Sequence, residues 1–495
     1  MDHGVNRLVW ALVVAASALF ATAPAAAAAG VPSFRTGFND DEVFQSPNAS
    51  ERLAGLQHTR DVRGSVVRVF QGWGGISPTR PPTRALARDP AWAGYNWAST
   101  DAVVRQVSSA GMRLLVGVTG APRWAEGAGR PPVSTRAPAG SWKPSPAAYR
   151  DFMEAAARRY SGSYPDPRIP GAALPRVRYW QAWNEPNLTD YLTPQWTRRR
   201  GRFVPASPGH YRRMLNGFYS GVKAVSRTNN VLTAGTAPYG DHRPGRRRMD
   251  PAYFTRALLC VSGRRRPRPV RCSGGPVRFD SLAHHPYPGG SDRRKAINPD
   301  DVVIPDLGKL TRPLRAALRG GKVRPRRGKQ LWATEISWDS SPPDPRGVPL
   351  HRHARYVQGA FYTLWRQGTD VVTWFRLRDE ARGRGFEFGL QSGIFFRGAT
   401  VAQDRPKPLS FRAFRFPFTA YRRRGVAQLW GLAAGRGRVA IERRRGGAWR
   451  RLTTLRARGD RLYFAKRRIR KGTLLRARQG SETSLSWRIG PNETE

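Results

Sequence analysis

The chain has 495 residues and carries 86 Lys or Arg against 34 Asp or Glu, a net charge of +52. At about 100 to 200 residues per domain this exceeds a single minimal domain, and two cysteines exclude a disulfide scaffold. Hydrophobic residues at 39%, with 16 Trp, are enough to build a large core, so wholesale disorder is excluded.

Only 9 of the basic residues are Lys, leaving 77 Arg, a skew that reads as codon bias along the whole chain rather than a local phosphate site. A nucleic-acid partner is therefore not expected on charge alone. The field does favour adhesion to polyanions, whatever the fold beneath it.

In chain order, Arg7 precedes an apolar run from Leu8 to Phe20 and a small-residue stretch ending Ala27-Ala28-Ala29. This order predicts a secretory signal over residues 1–30 and a secreted, extracellular protein, with wall association as a further expectation from its charge. The alternative is an uncleaved N-terminal anchor. No later stretch is apolar enough to predict a transmembrane span.

From 31 to 415, short apolar runs alternate with helical patterns, which predicts repeated βα units around a parallel sheet. Eight strands are expected at 32–39, 65–73, 113–120, 177–186, 231–238, 278–287, 330–338 and 370–377. Helices are expected at 145–162, 207–226 and 352–369, the first two opened by Ser-Pro pairs suited to an N-cap and a first helical position. Eight such units predict an α/β fold, a (β/α)8 barrel with functional residues at the carboxyl ends of its strands. An open doubly wound sheet is the competing layout, weakened by the lack of a Gly-rich phosphate loop.

Cys260 and Cys272 bracket an Arg- and Pro-rich stretch and are read as a disulfide. They have no His or Cys partners at zinc-ligand spacing, so no metal is expected there. Beyond Phe416-Pro417-Phe418, short alternating runs separated by Gly predict a small all-β sandwich over 418–490. That segment holds 21 Lys or Arg and 3 acids, a charge density well above the rest. If any part clings to an anionic cell-wall polymer, this is the candidate; a solvated basic surface is the alternative.

Two carboxylates stand out by position. Glu185 ends the fourth strand in Trp183-Asn184-Glu185-Pro186, and Glu335 ends the seventh in Ala333-Thr334-Glu335-Ile336. Both have apolar and aromatic flanks, where a lone carboxylate is costly. Strands four and seven of a closed eight-strand barrel face each other, so the pair can converge over the axis. One protonated and one ionised carboxyl are what glycoside hydrolysis requires. The bland alternative is two unrelated glutamates in ion pairs with nearby Arg.

The run YWQAWNEPNL (179–188) resembles the acid/base motif of clan A glycoside hydrolases, and LWATEISW (331–338) resembles their nucleophile strand. DSLAHHPY (280–287) is similar to the sixth-strand His-x-Tyr motif of family 39 and related families such as family 5. The resemblance implies a retaining glycosidase with Glu185 as acid/base and Glu335 as nucleophile. It also implies that Asn184 binds a sugar 2-hydroxyl, Tyr287 and Arg68 hold Glu335 ionised, His285 lines the sugar subsite and Trp374 gives the sugar an apolar floor. His284 is expected behind the sheet, because adjacent strand residues face opposite ways. Insertions at 35–50, 193–210 and 260–272 would roof the cleft.

The reading is an enzyme hydrolysing O-glycosyl bonds of a β-linked polysaccharide or oligosaccharide, with no cofactor and no metal implied. The alternative from another class is a catalytically silent cell-wall or polysaccharide binder on a barrel scaffold. A secreted nucleic-acid binder is disfavoured by the lack of any motif for it.

Overall fold

The computed structural model describes residues 33–381 and 390–490. The expected signal over 1–30 lies outside the described residues. Eight parallel strands close into a barrel: β1 Arg35–Asn39, β2 Val66–Gly72, β3 Arg113–Thr119, β4 Tyr179–Ala182, β5 Asn230–Thr233, β6 Ser281–His284, β7 Gln330–Ile336 and β8 Thr369–Phe375. Each strand pairs with its chain neighbours, and β8 closes on β1 through the pairs Gly37–Thr373 and Asn39–Phe375. The doubly wound alternative is excluded by this closure.

Val66, Leu115, Leu232, Ala283, Trp332 and Val371 form a separate apolar cluster that plugs the barrel, with Tyr179 packed against it. Alternation then aims the residues two further on, among them Arg68, Gln181, His285 and Thr334, into the same interior one layer nearer the carboxyl ends. An apolar floor thus lies under a polar layer.

Outside the barrel, α1 Pro146–Arg159 starts as expected, with Ser145 accepting a hydrogen bond from Ala148 N and Pro146 in the first turn. Helix α2, Ser207–Val225, differs from expectation at its start. Ser207 lies within the helix, and its hydroxyl donates to Gln195 Oε1 instead of capping. The two helices pack closely because Gly217 and Gly221 of α2 face the α1 backbone; a Cβ at Gly221 would lie 2.3 Å from Arg150 O. Helix α3, Leu350–Arg366, covers β8.

The segment 35–50 is not a cleft insertion. It begins with β1 itself and continues into helices Asp41–Phe44 and Ala49–Asp61, opened by Asp40 and Asn48 as side-chain caps. The segment 193–210 contains a hairpin, Trp196–Arg199 with Arg202–Pro205, before α2 begins. Cys260 and Cys272 are joined in a disulfide.

C-terminal to the barrel, two antiparallel sheets follow. One contains 418–423, 426–432 and 462–467; the other contains 437–445, 448–457 and 474–479, with short pairings at 482–483 and 487–488. Both lean on the barrel's helical side. Trp430 meets Phe34 and Trp365, Tyr421 donates to Asp292 Oδ2 at 2.9 Å, and Glu482 is held by Arg63 and Arg415. No helix among the described residues is long and apolar enough to cross a membrane.

Candidate active site

At the carboxyl ends of the strands, Arg68 is the hub of the polar layer. Its side chain is fully buried, and its guanidinium donates to Gln181 Oε1 (2.8 Å), Thr334 O (3.1 Å), Glu335 Oε1 (2.6 Å) and Asn39 Oδ1. Asn184 Oδ1 lies 3.4 Å from the same group. A cation without water is affordable only because acceptors from three strands, β1, β4 and β7, and from Asn184 just beyond β4, surround it.

Glu335 reaches this hub through a bulge. From Ala333–Val372 to Ile336–Trp374, β7 advances three residues where β8 advances two. Strict alternation from Trp332 and Thr334 would aim Glu335 outward; the extra residue turns it in. There it accepts from Arg68 and, on its other oxygen, from the Tyr287 hydroxyl at 2.9 Å.

Glu185 is placed by a tight turn after β4. Trp183 and Glu185 have φ of +77° and +34°, and Glu185 N donates to Gly235 O at 3.0 Å. Left-handed backbone at two non-glycine residues this close together marks a conformation that the surroundings impose. Its Oε1 is hydrogen-bonded to His285 Nδ1 at 2.8 Å. His285 Nε2 in turn lies 3.5 Å from Glu335 Oε1, so one imidazole separates the two carboxylates.

The two acids differ electrostatically. Burial raises the Glu185 carboxyl above its usual range, against the weaker lowering pull of His285. Burial also acts on Glu335, but His285, Arg68 and Tyr287 together outweigh it and hold that carboxyl below its usual range. One group is thereby biased to carry a proton and the other to stay ionised.

An oxygen of Glu185, a nitrogen of His285 and an oxygen of Glu335 all lie within 4.8 Å of one another, a grouping that could also hold a cation. The Arg68 guanidinium already supplies positive charge at that point. A second triplet of this kind, His242, Asp250 and Asp301, has Gly240 N and Asn298 as hydrogen-bond partners of Asp301.

The structure therefore brings Arg68, Asn184, Glu185, His285, Tyr287 and Glu335 together, and it corrects two expected roles. Trp374 is not a sugar platform. Inward positions on β8 are Val371, Thr373 and Phe375, so Trp374 faces the helices, packed against Trp338 and His353 with its Nε1 donating to Ser392 O. Half-buried Phe375 takes the inward position, its ring 6.4 Å from Tyr287. His285 has no exposed side-chain surface, so it braces the carboxylates instead of lining an open subsite. His284 lies behind the sheet as expected, between Thr236 and Val302 O.

Four contributors escaped the sequence reading. Asn39 and Gln181 hold Arg68, and each occupies an inward position that alternation could have identified. Tyr191, half-buried, lies near both glutamates, which together with burial raise its hydroxyl pKa. Gly235 lies against His285, where a Cβ would come within 2.1 Å of Nε2.

No family model and no curated protein matches the sequence. Solved structures do match. A family 39 glycoside hydrolase from the gut symbiont Bacteroides cellulosilyticus WH2 aligns at 14% identity over 87% of this chain and 78% of its own, with a TM-score of 0.51. A glucosidase from Croceicoccus marinus aligns at 14% identity over 89% and 95%, TM-score 0.48. A family 39 β-xylosidase from Caulobacter crescentus aligns at 14% over 83% and 81%, TM-score 0.46. The first likeness is one of fold, a barrel followed by a β domain.

Proposed function

We propose that this chain is a retaining glycoside hydrolase acting on a β-linked polysaccharide or oligosaccharide. One observation carries the reading: two carboxyls at the ends of β4 and β7 approach within 4.8 Å, with the pKa of one raised and of the other lowered. Carboxyls about 5 to 5.5 Å apart suit direct attack, whereas inverting pairs stand roughly 6.5 to 9.5 Å apart to admit a water. The motif resemblance and the shared fold support the same reading.

In the first step Glu335 attacks the anomeric carbon while Glu185 gives its proton to the departing glycosidic oxygen. A glycosyl ester on Glu335 results. In the second step the ionised Glu185 takes a proton from water, whose oxygen displaces Glu335 and restores both groups. Asn184, beside the acid, is placed to bind the sugar 2-hydroxyl. The Cys260–Cys272 disulfide supports an oxidising compartment, consistent with the leader pattern and secretion.

The test is hydrolysis of aryl β-glycosides and neutral and acidic β-glycans by the parent, Glu335→Gln and Glu185→Ala. Loss of turnover in Glu335→Gln, with azide restoring turnover in Glu185→Ala as a β-glycosyl azide, is the expected result. A parent that binds a glycan as tightly as Glu335→Gln yet cleaves nothing would overturn the proposal in favour of a silent binder.

A further inference from the structure

The C-terminal sheets carry a cavity of about 820 Å³ lined by Arg443, Arg444, Arg445, Arg468, Arg470 and Arg488. One wall is the tip of the hairpin joining 437–445 to 448–457, with Gly446 and Gly447 at its turn. The other is the connection leading into 474–479, and Arg488 comes from the last short strand. Among the described residues, no acidic or aromatic side chain lines it.

The acids of 418–490 are committed elsewhere. Glu442 takes Arg476 and Arg478, Asp460 takes Arg35, and Glu482 takes Arg63 and Arg415. Among the described residues, none of the six groove arginines has a carboxylate partner. Six arginines lining one concavity concentrate positive field there, so an anion entering the groove is attracted and can gain forked hydrogen bonds from guanidinium groups.

We propose that this groove binds a polyanionic glycan whose repeats carry a carboxylate or a phosphodiester. An open groove suits a polymer, and the lack of any aromatic lining removes the stacking surface that single-stranded nucleic acid uses. The choice of a glycan among polyanions rests on the glycosidase reading. Binding needs no turnover, however, so either proposal can fail without the other.

The experiment uses the full chain and titrates three labelled polymers at several salt concentrations: polygalacturonate, poly(glycerol phosphate) and single-stranded DNA of matched charge. Arg443→Ser, Arg468→Ser and Arg488→Ser are combined in one variant. A control of equal charge loss combines Arg319→Ser, Arg326→Ser and Arg327→Ser, all exposed on the barrel. A second groove variant, Arg444→Ser with Arg470→Ser, covers the case in which the first fails to fold, as thermal melting would reveal.

The expected result is a loss of affinity of about tenfold or more for polygalacturonate or poly(glycerol phosphate) in the groove variants, and under about twofold in the control. Which polymer responds identifies the anionic group. Equal losses in groove and control variants would show a bulk charge effect and overturn the site. Tighter groove-dependent binding of DNA than of either glycan would overturn the ligand class.

Discussion

The contact between Gly235 and His285 allows a sharp perturbation, Gly235→Ala. Backbone conformation does not forbid it, since Gly235 has no positive φ. The obstacle is one atom: the new Cβ would lie 2.1 Å from His285 Nε2. Ordinary contact of about 3.4 Å or more requires the ring to move by about 1.3 Å. It has nowhere to go, with Glu185 at 2.8 Å on one nitrogen and Arg68 and Glu335 at 3.4 and 3.5 Å from the other. A displacement near 1 Å in a positioning group costs about a hundredfold in rate. Turnover of an aryl β-glycoside should fall by that factor, while overpacking costs the fold only about 1–3 kcal/mol.

Two readouts separate this from general damage. His285 lowers the pKa of both carboxyls, so loosening it should move both limbs of the pH–rate profile to higher pH. In addition, Gly235→Ala should cost nothing further in a His285→Ala background, because the clash is gone. A Gly235→Ala enzyme within about threefold of the parent rate and with an unshifted profile would refute the reasoning.

Other outcomes follow from the same geometry. Arg68→Met should raise the Glu335 pKa, so the acid limb moves to higher pH, and should cost about 3–5 kcal/mol in denaturant unfolding by leaving Glu335 buried without its cation. Asp40, Asp292, Asp370, Asp379 and Asp404 are each pushed up to about 6, chiefly by burial. Their folded forms hold protons that the unfolded chain has released, so between about pH 4 and pH 6 stability should fall as pH rises, and melting at pH 5 should exceed that at pH 7. A flat melting temperature across that window would count against these assignments. Replacing Cys260 and Cys272 by Ser should lower unfolding stability by about 3 kcal/mol in equilibrium denaturation.

The barrel was legible because its strands are apolar runs of the right length, and a parallel sheet buried on both faces reads that way from sequence. Glu185 and Glu335 were legible as carboxylates at the ends of such runs, whereas Arg68 and Tyr287 came from the motif resemblance alone. Trp374 was misassigned because proximity to a strand end says nothing about phase; counting alternation from Val371 puts Phe375 inward. The β7 bulge was invisible, since nothing local in Ala-Thr-Glu-Ile reports that β7 gains a residue against β8. Gly235 was equally hidden, because its reason for being glycine lies 50 residues away in His285. The hairpin at 196–205 was missed for a different reason. Its Arg-rich sequence lacks the alternation that marks a half-buried strand, and pairing between its two arms stabilises it instead.

The surroundings of Arg68 also bear on how the chain is made. Its acceptors come from Asn39, Gln181, Asn184, Thr334 and Glu335, so the first of them has been synthesised before the arginine itself and the last some 267 residues after it. Until β7 emerges, this guanidinium lacks the one carboxylate to which it is hydrogen-bonded. A nascent or truncated chain ending before residue 335 must either keep that position wet or bury an unpaired charge, and neither yields a closed barrel. The residue at the centre of the site thus doubles as a test of completeness, which only a nearly full-length chain can pass.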